Sequence, residues 1–338
     1  MKKLAISQII KIKNTNNQKG HYKHSVPFKA IFEVLFSKNG NPKIIDSVKI
    51  DLNSLYKDKD FVVWFGHSSI LLYLNGKKIL IDPILQSNAS PFKSFIKPFN
   101  GADIYSIDEL GEIDYLLITH NHYDHLNKDN IKKLKDKVER FLLPLGVGKY
   151  ITKWGVNKDK IVELDWQDEY QNKEYKQIGG NKDEKKYNLR FHFLPTRHFS
   201  GRYIIDSNKS LWGAYLIETN KHKIYIGGDS GYGAHYKQTG EKFGNIDLAF
   251  LENGQYNMAW RDIHLFPQDT LKAALDLNAK SLFPLHNSKF KLSTHSWNSP
   301  LDELSKLIKE NKTINLLTPK IGEALYIWEE NNTKEWWK

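Results

Sequence analysis

The chain of 338 residues contains no cysteine. Disulfides, thiolate nucleophiles and cysteine-ligated zinc are therefore excluded. Any bound metal must be held by histidine nitrogen and carboxylate oxygen, a donor set that admits zinc, iron, manganese or cobalt. Long apolar runs are missing too. None approaches the roughly 18–20 residues that cross a bilayer as a helix. The opening "MKKLAISQIIKIKN" begins as a signal peptide would. Its apolar run is broken by Ser7 and Gln8 and stopped by Lys11, and no small-residue cleavage site follows. The expected compartment is the cytoplasm.

Acid is absent from residues 1–30, which hold seven lysines and leave only +4 of the formal +11 to the rest of the chain. A uniformly basic domain would suggest nucleic acid. A basic arm on a nearly balanced body suggests a solvated tail or a weak anchor to an anionic surface. The chain ends in Trp336, Trp337 and Lys338, an aromatic-cationic cluster of the kind that settles at a membrane interface. The expected organisation is a basic arm over residues 1–25 and one domain over 26–338, peripheral to a membrane if the arm and the tryptophans engage one.

The many aromatic residues and the chain length suit a globular body with a sizeable core. Residues 28–37, "FKAIFEVLFS", read as a short amphipathic helix. From Asp60 the pattern turns to strands, with Asn75-Gly76 between two apolar runs marking a type I′ hairpin. "IDYLLITH" reads as a buried strand that delivers His120 at its end, followed by a surface helix in "KDNIKKLKDK". "RFLLPLG" and "KIVELDW" are strands around the short helix "GKYITKWG", and the polar stretch 167–186 is an excursion of a hairpin or a loop. "NLRFHFLPTRH", the hairpin "LWGAYLIETNKHKIYIGGDS", "IDLAFLENG" and "KSLFPLH" supply more strands, and "PQDTLKAALDLNA" a helix. "SPLDELSKLIKEN" has Ser299 at the N-cap, Pro300 at the first helical position and Asp302 two further on. The order is strands, then strands mixed with helices, twice over. It predicts two mixed sheets packed face to face with helices outside, an α+β architecture.

Within "LLITHNHYDHLN", His120, His122, Asp124 and His125 fall inside six residues. His120 and His122 can point the same way from an extended loop, and Asp124 and His125 follow where it turns towards a helix. Four donors facing two directions fit two adjacent ions better than one. A catalytic zinc usually takes three protein ligands and keeps a position open, so two ions need about six or seven. The missing donors stand at other strand ends: His198 in "LPTRHFSGR", Asp229 in "IGGDSGY" and His286 in "FPLHNS".

This pattern of HxHxDH followed by strand-end His, Asp and His resembles the metallo-β-lactamase superfamily. The phrases "WFGHSSILLYLNGKKILIDPIL", "THNHYDHL", "LPTRHFSGR", "LWGAYLIE", "GGDSGY" and "HLFPQDTLKAA" resemble its N-acyl-phosphatidylethanolamine-hydrolysing phospholipase D branch and bacterial relatives. The ascorbate-6-phosphate lactonase group lies further off. The resemblance runs over residues 26–328 and implies a four-layer αββα sandwich. It implies that His120, His122 and His198 bind one divalent ion and Asp124, His125 and His286 the other, with Asp229 bridging. The ions are expected to be zinc, with iron or manganese as alternatives. His264 in "RDIHLFPQD" resembles a position that faces the reacting phosphate. Asp82 in "IDP" and His67 in "GHSS" are expected behind the ligands, Asp82 as a hydrogen-bond partner of a ligand histidine.

The chemistry implied is hydrolysis by a hydroxide bridging two ions roughly 3.5–4 Å apart. Asp124 would manage the proton of the attacking water, and His264 would stabilise charge on the substrate and leaving group. The expected substrate is a phospholipid-like or small phosphodiester. A lactone, amide or other small ester is the alternative. Nucleic-acid processing is disfavoured, because neither an extra nuclease-branch domain nor an aromatic-basic RNA motif is present. Arg197 and Arg202 flank a ligand and read either as phosphate attractors or as surface ion pairs. Trp212 reads as core. The branch usually continues after its last histidine with Trp-Gly-Thr-Phe, whereas here His286 is followed by "NSKFKLSTHSW". Substrate preference therefore carries over poorly, and the sequence leaves the oligomeric state open.

Overall fold

The computed structural model describes residues 33–34, 37, 40–55, 59–92, 95–171, 189–203, 206–311, 314–331 and 334–338. The basic arm over 1–25 lies outside the described residues. So do most of the helix expected over 28–37 and the greater part of the polar excursion over 167–186.

The first apolar runs pair as an antiparallel meander of β1 (Phe61–Trp64), β2 (Ile70–Leu74) and β3 (Lys77–Ile81). Asn75 and Gly76 turn β2 into β3 with φ of 52° and 75°, the left-handed pair that a type I′ turn requires. Next to β3, β4 (Ile113–Leu117), β5 (Val138–Pro144) and β6 (Ile161–Leu164) add in parallel. Helices α1 (Lys128–Leu134) and α2 (Gly148–Lys153) lie on the connections between them.

The second sheet repeats this plan. Four antiparallel strands, β7 (Glu169–Gln171), β8 (Arg190–Leu194), β9 (Ala214–Glu218) and β10 (Lys223–Ile226), precede a parallel set. That set is β11 (Ile246–Glu252), β12 (Ala279–Leu285) and β13 (Asn315–Leu316), with α3 (His235–Phe243) leading into it and α4 (Pro267–Asp276) and α5 (Ser299–Asn311) between its members. With β14 (Ala324–Tyr326) on the free edge of β1, the sheet orders are β14-β1-β2-β3-β4-β5-β6 and β13-β12-β11-β10-β9-β8-β7. Among the described residues no helix is long and apolar enough to cross a membrane.

The layers follow from strand alternation. Val62, Trp64, Leu72, Ile79 and Tyr115 of the first sheet meet Phe191, Tyr215, Ile224, Phe250 and Phe283 of the second in the central core. The alternate residues Val63, Leu71, Leu80, Leu116 and Phe141 face Ile131, Leu134 and Ile151 of α1 and α2. Ala214, Leu216, Tyr225 and Ala249 likewise face Tyr236, Leu271 and Leu304 of α3, α4 and α5. Strands covered on both faces read as unbroken apolar runs, and helices cover both outer sides. This is the four-layer αββα sandwich. The buried Tyr215 hydroxyl ties the sheets together by donating to the carbonyls of Ile118 (3.1 Å) and Leu142 (3.0 Å).

Three details differ from the sequence reading. The first turn of α5 starts one residue earlier, because the Asn298 carbonyl accepts the Asp302 amide at 3.0 Å and Ser299 is already helical. Helix α3 was not anticipated, since "HYKQTGEKF" buries only Tyr236, Thr239 and Gly240. The tryptophan pair at the chain end is not a free interfacial cluster. Trp337 is buried, and Trp336 packs on Trp64 and Trp297 while its Nε1 donates to the Thr318 carbonyl at 3.1 Å. Trp337 belongs to the buried core and Trp336 packs partly buried against it, so the pair is not the free interfacial cluster expected.

Candidate metal centre

The strand ends bring all seven anticipated donors to one edge of the sandwich. Beyond β4 the chain leaves the sheet through Thr119 and turns back on itself, with the Leu126 amide donating to the His122 carbonyl at 2.8 Å. The buried Arg202 guanidinium clamps this turn through the carbonyls of Asn121 (2.9 Å) and Leu126 (2.5 Å), and Tyr123 lies against its face at 4.0 Å. Arg202 is thus a structural clamp. Arg197 pairs with Asp262 at 2.5 Å and with the Tyr232 carbonyl at 3.0 Å. Trp212 is core, with its Nε1 on the Thr196 carbonyl at 3.0 Å.

Two groups of donors result. In the first, His122 Nδ1 lies 2.9 Å from His120 Nε2 and 3.2 Å from His198 Nε2. Nitrogens sharing one tetrahedral zinc at 2.0–2.1 Å stand roughly 3.3 Å apart, so the spacing suits one ion. The tautomers agree with that use. The His198 Nδ1–H donates to the Ile263 carbonyl at 3.1 Å, which leaves its Nε2 as a lone pair. His120 Nδ1 meets the Thr119 hydroxyl oxygen at 3.1 Å, and that hydroxyl donates to Asp82 Oδ2 at 2.6 Å.

In the second group, Asp124 Oδ2 lies 3.6 Å from His125 Nε2 and 3.5 Å from His286 Nε2. Asp229 reaches both groups. Its Oδ1 is 3.2 Å from His125 Nε2, while its Oδ2 is 3.1 Å from His286 Nε2 and 3.8 Å from the Nε2 atoms of His120 and His198. His125 Nε2, His286 Nε2 and Asp229 Oδ1 are buried and lack hydrogen-bond partners. An orphaned buried polar atom costs about 1–3 kcal/mol, and three converging on one point call for a cation. The residues present therefore fit a metal.

Electrostatics point the same way. Burial, reinforced by the surrounding imidazoles, holds His120 and His198 well below the ordinary histidine value, and burial lowers His122 to about 4. These rings are neutral donors. Burial also acts to lower His286, but the carboxylates of Asp229 and Asp124 outweigh it and raise its pKa to about 10. His125 rises for the same reason, against burial, beside Asp229, Asp124 and Asp82. The positive charge demanded by three carboxylates is the charge that an ion brings.

Behind these donors, Asp82 Oδ2 accepts from His125 Nδ1 at 2.8 Å, and His67 Nε2 lies 3.0 Å from Asp124 Oδ2. His67, Asp82, Gln255 and His286 all sit at positive φ, between 42° and 65°, a region that costs about 1–3 kcal/mol for residues other than glycine. Neighbouring bonds hold the strain: the His67 carbonyl accepts the His286 amide at 3.0 Å and the Trp64 indole at 2.9 Å.

One buried acid was missed in the sequence. Glu252 closes β11 with its Oε2 2.7 Å from His264 Nδ1. Its signal was the carboxylate ending the apolar run of "IDLAFLENG". Gly254 lets this strand end lie against His286, since a Cβ there would stand 2.4 Å from the His286 carbonyl oxygen. His264 itself faces the cleft. That cleft has a volume of about 650 Å³, with His122, Asp124, His198, Asp229 and His286 on its floor. Phe99, Phe199, Trp260, Ile263 and Leu292 form its walls.

Fold and site together define a metal-dependent hydrolase of the metallo-β-lactamase superfamily, with a His/Asp cluster able to bind metal. The chain belongs to the beta-lactamase superfamily domain family, whose model matches residues 77–287. It is 33% identical over 281 residues to an uncharacterised protein of Mycobacterium tuberculosis, a match covering 82% of this chain and 71% of that one. It is 27% identical over 285 residues to N-acyl-phosphatidylethanolamine-hydrolyzing phospholipase D 1 of Caenorhabditis elegans, covering 80% of this chain and 76% of that one. Among solved structures, isothiocyanate hydrolase from Delia radicum gut bacteria superposes with a TM-score of 0.60 at 18% identity, over 78% of this chain and 98% of the other. That likeness speaks to the fold alone.

Proposed function

We propose that the protein, over residues 26–338, is a phosphodiesterase that uses two divalent ions, zinc by the histidine-rich donor set. Its substrate in this reading is a phospholipid-like or other small phosphodiester. The observation that carries the proposal is the cleft: charged donors on the floor, apolar walls, and His264 beside them. Two ions held by His120, His122, His198 and by Asp124, His125, His286, with Asp229 between, would activate water and offset charge on the phosphate oxygens. Asp124 lines the floor and takes the proton of the attacking water. The apolar walls exclude bulk water and hold an acyl or alkyl group. The relative named for N-acyl-phosphatidylethanolamine hydrolysis supports a lipid diester in particular.

A lipid surface is the natural source of such a substrate, and we place the cleft mouth against it. Phe92 and Phe95, 67% and 53% exposed, stand on the loop that runs into the cleft residues Ile96 and Lys97. Met258, 74% exposed, precedes the cleft residue Trp260.

The test is zinc-reconstituted protein offered N-acyl-phosphatidylethanolamine vesicles, bis-p-nitrophenyl phosphate and a simple lactone. Turnover of the diesters, lost on Asp229→Ala together with the zinc, is the expected result. Turnover of the lactone alone would replace the reading by that of an ester hydrolase. Failure of F92S/F95S to weaken co-sedimentation with anionic vesicles would remove the lipid contact.

A further inference from the structure

Glu252 is 2% exposed, and both of its oxygens are committed. Oε1 accepts the amides of Ser230 (2.8 Å) and Leu265 (3.0 Å), the residues that follow Asp229 and His264 in the chain. Oε2 lies 2.7 Å from His264 Nδ1 and 3.6 Å from His286 Nδ1. The His264 and His286 rings are nearly parallel, 5.2 Å apart with 14° between their planes. One carboxylate therefore holds the turn bearing Asp229 and the segment bearing His264, and lies beside His286.

We propose that Glu252 is the positioning residue of His264: it fixes the proton on Nδ1 and turns Nε2 into the cleft. The inference rests on the phosphodiesterase reading. An ionised carboxylate only accepts, so the Nδ1 facing it must donate. Nε2 is then the atom left for the substrate, and His264 lines the cleft. In hydrolysis the water oxygen forms a new bond to phosphorus and its proton passes to Asp124. The bond from phosphorus to the leaving oxygen breaks, and that oxygen receives the same proton by way of His264 Nε2, which accepts it from Asp124 and passes it on while Glu252 holds Nδ1–H. A glutamine at 252 keeps the volume and can keep both amide bonds. Its NH₂ group, however, donates to Nδ1 and forces the neutral tautomer with the proton on Nε2.

The experiment compares native protein, Glu252→Gln, His264→Ala and the double variant, each reconstituted with zinc. A positioned general acid contributes about 10²–10⁴-fold, so E252Q should lose about 100-fold or more in kcat on an alkyl phosphodiester. On bis-p-nitrophenyl phosphate, whose leaving group needs no proton, the loss should stay below about tenfold. Zinc content should be unchanged, and the double variant should be no slower than His264→Ala. Nitrogen-15 NMR of the histidines should show His264 protonated on Nδ1 in native protein and on Nε2 in E252Q. Zinc loss in E252Q, additive losses in the double variant, equal loss on both diesters, or a native His264 protonated on Nε2 would overturn the assignment. Native protein that turns over neither diester would sink the phosphodiesterase reading instead, and the zinc and tautomer measurements would still decide the role of Glu252.

Discussion

Asp82 Oδ2 lies 2.8 Å from His125 Nδ1 and 2.6 Å from the Thr119 hydroxyl, which in turn meets His120 Nδ1 at 3.1 Å. One carboxylate thereby orients a donor in each of the two groups. It is itself fixed by the Thr119 amide on Oδ1 at 2.8 Å. Substituting Asp82→Asn should lower the affinity for both ions about 10–100-fold, the usual cost of losing such a partner. Competition with a chromophoric chelator measures this. Unchanged affinity would show that Thr119 and the backbone suffice.

Much of the site was legible because its donors stand where apolar strands end, and a strand end is written locally. His120, His198, Asp229 and His286 each follow such a run, and Asn75-Gly76 marked the turn from β2 to β3. Glu252 was hidden by its neighbours: a carboxylate at the end of β11 reads as the exposed start of a loop until His264 is brought beside it from twelve residues away. The Arg202 clamp was equally hidden, because its carbonyl partners lie 76 and 81 residues distant. Trp336 and Trp337 misled for the same reason. Beside Lys338 they looked interfacial, but Trp337 is buried and Trp336 packs on Trp64 from far along the chain.

Lys289, from the segment that departs from the branch pattern, is fully buried. Its ammonium donates to the carbonyls of Phe65 (3.0 Å) and Ile84 (2.7 Å) and to Asp103 Oδ1 (2.9 Å). Removing one partner of a buried ion pair costs about 3–5 kcal/mol. Lys289→Met should therefore lower the unfolding free energy by about that amount in urea titration. A loss below about 1 kcal/mol, the range of an exposed pair, would mean that water already reaches the ammonium.

Glu335 holds the terminal segment to α5 through Ser305 Oγ (2.5 Å) and Lys309 Nζ (2.8 Å), and Lys338 Nζ lies 2.9 Å away. The bond from Lys309, then those from Ser305 and Lys338, lower its pKa from 4.5 to about 2. The folded value lies below the unfolded one, so the unfolded chain binds the proton more readily. The stabilisation is complete above about pH 4.5 and is lost as pH falls through about 2. Both lysines are exposed, so screening leaves it near 1 kcal/mol. The stability difference between native protein and Glu335→Gln should be largest near pH 6 and shrink towards pH 3. A difference that is flat over that range would contradict the linkage.

The central claim is a two-ion centre, and anomalous diffraction at the zinc edge from reconstituted crystals tests it most directly. The account predicts two peaks, one among His120, His122 and His198 and one among Asp124, His125 and His286, with Asp229 touching both. A single peak, or a second ion held elsewhere, would contradict it.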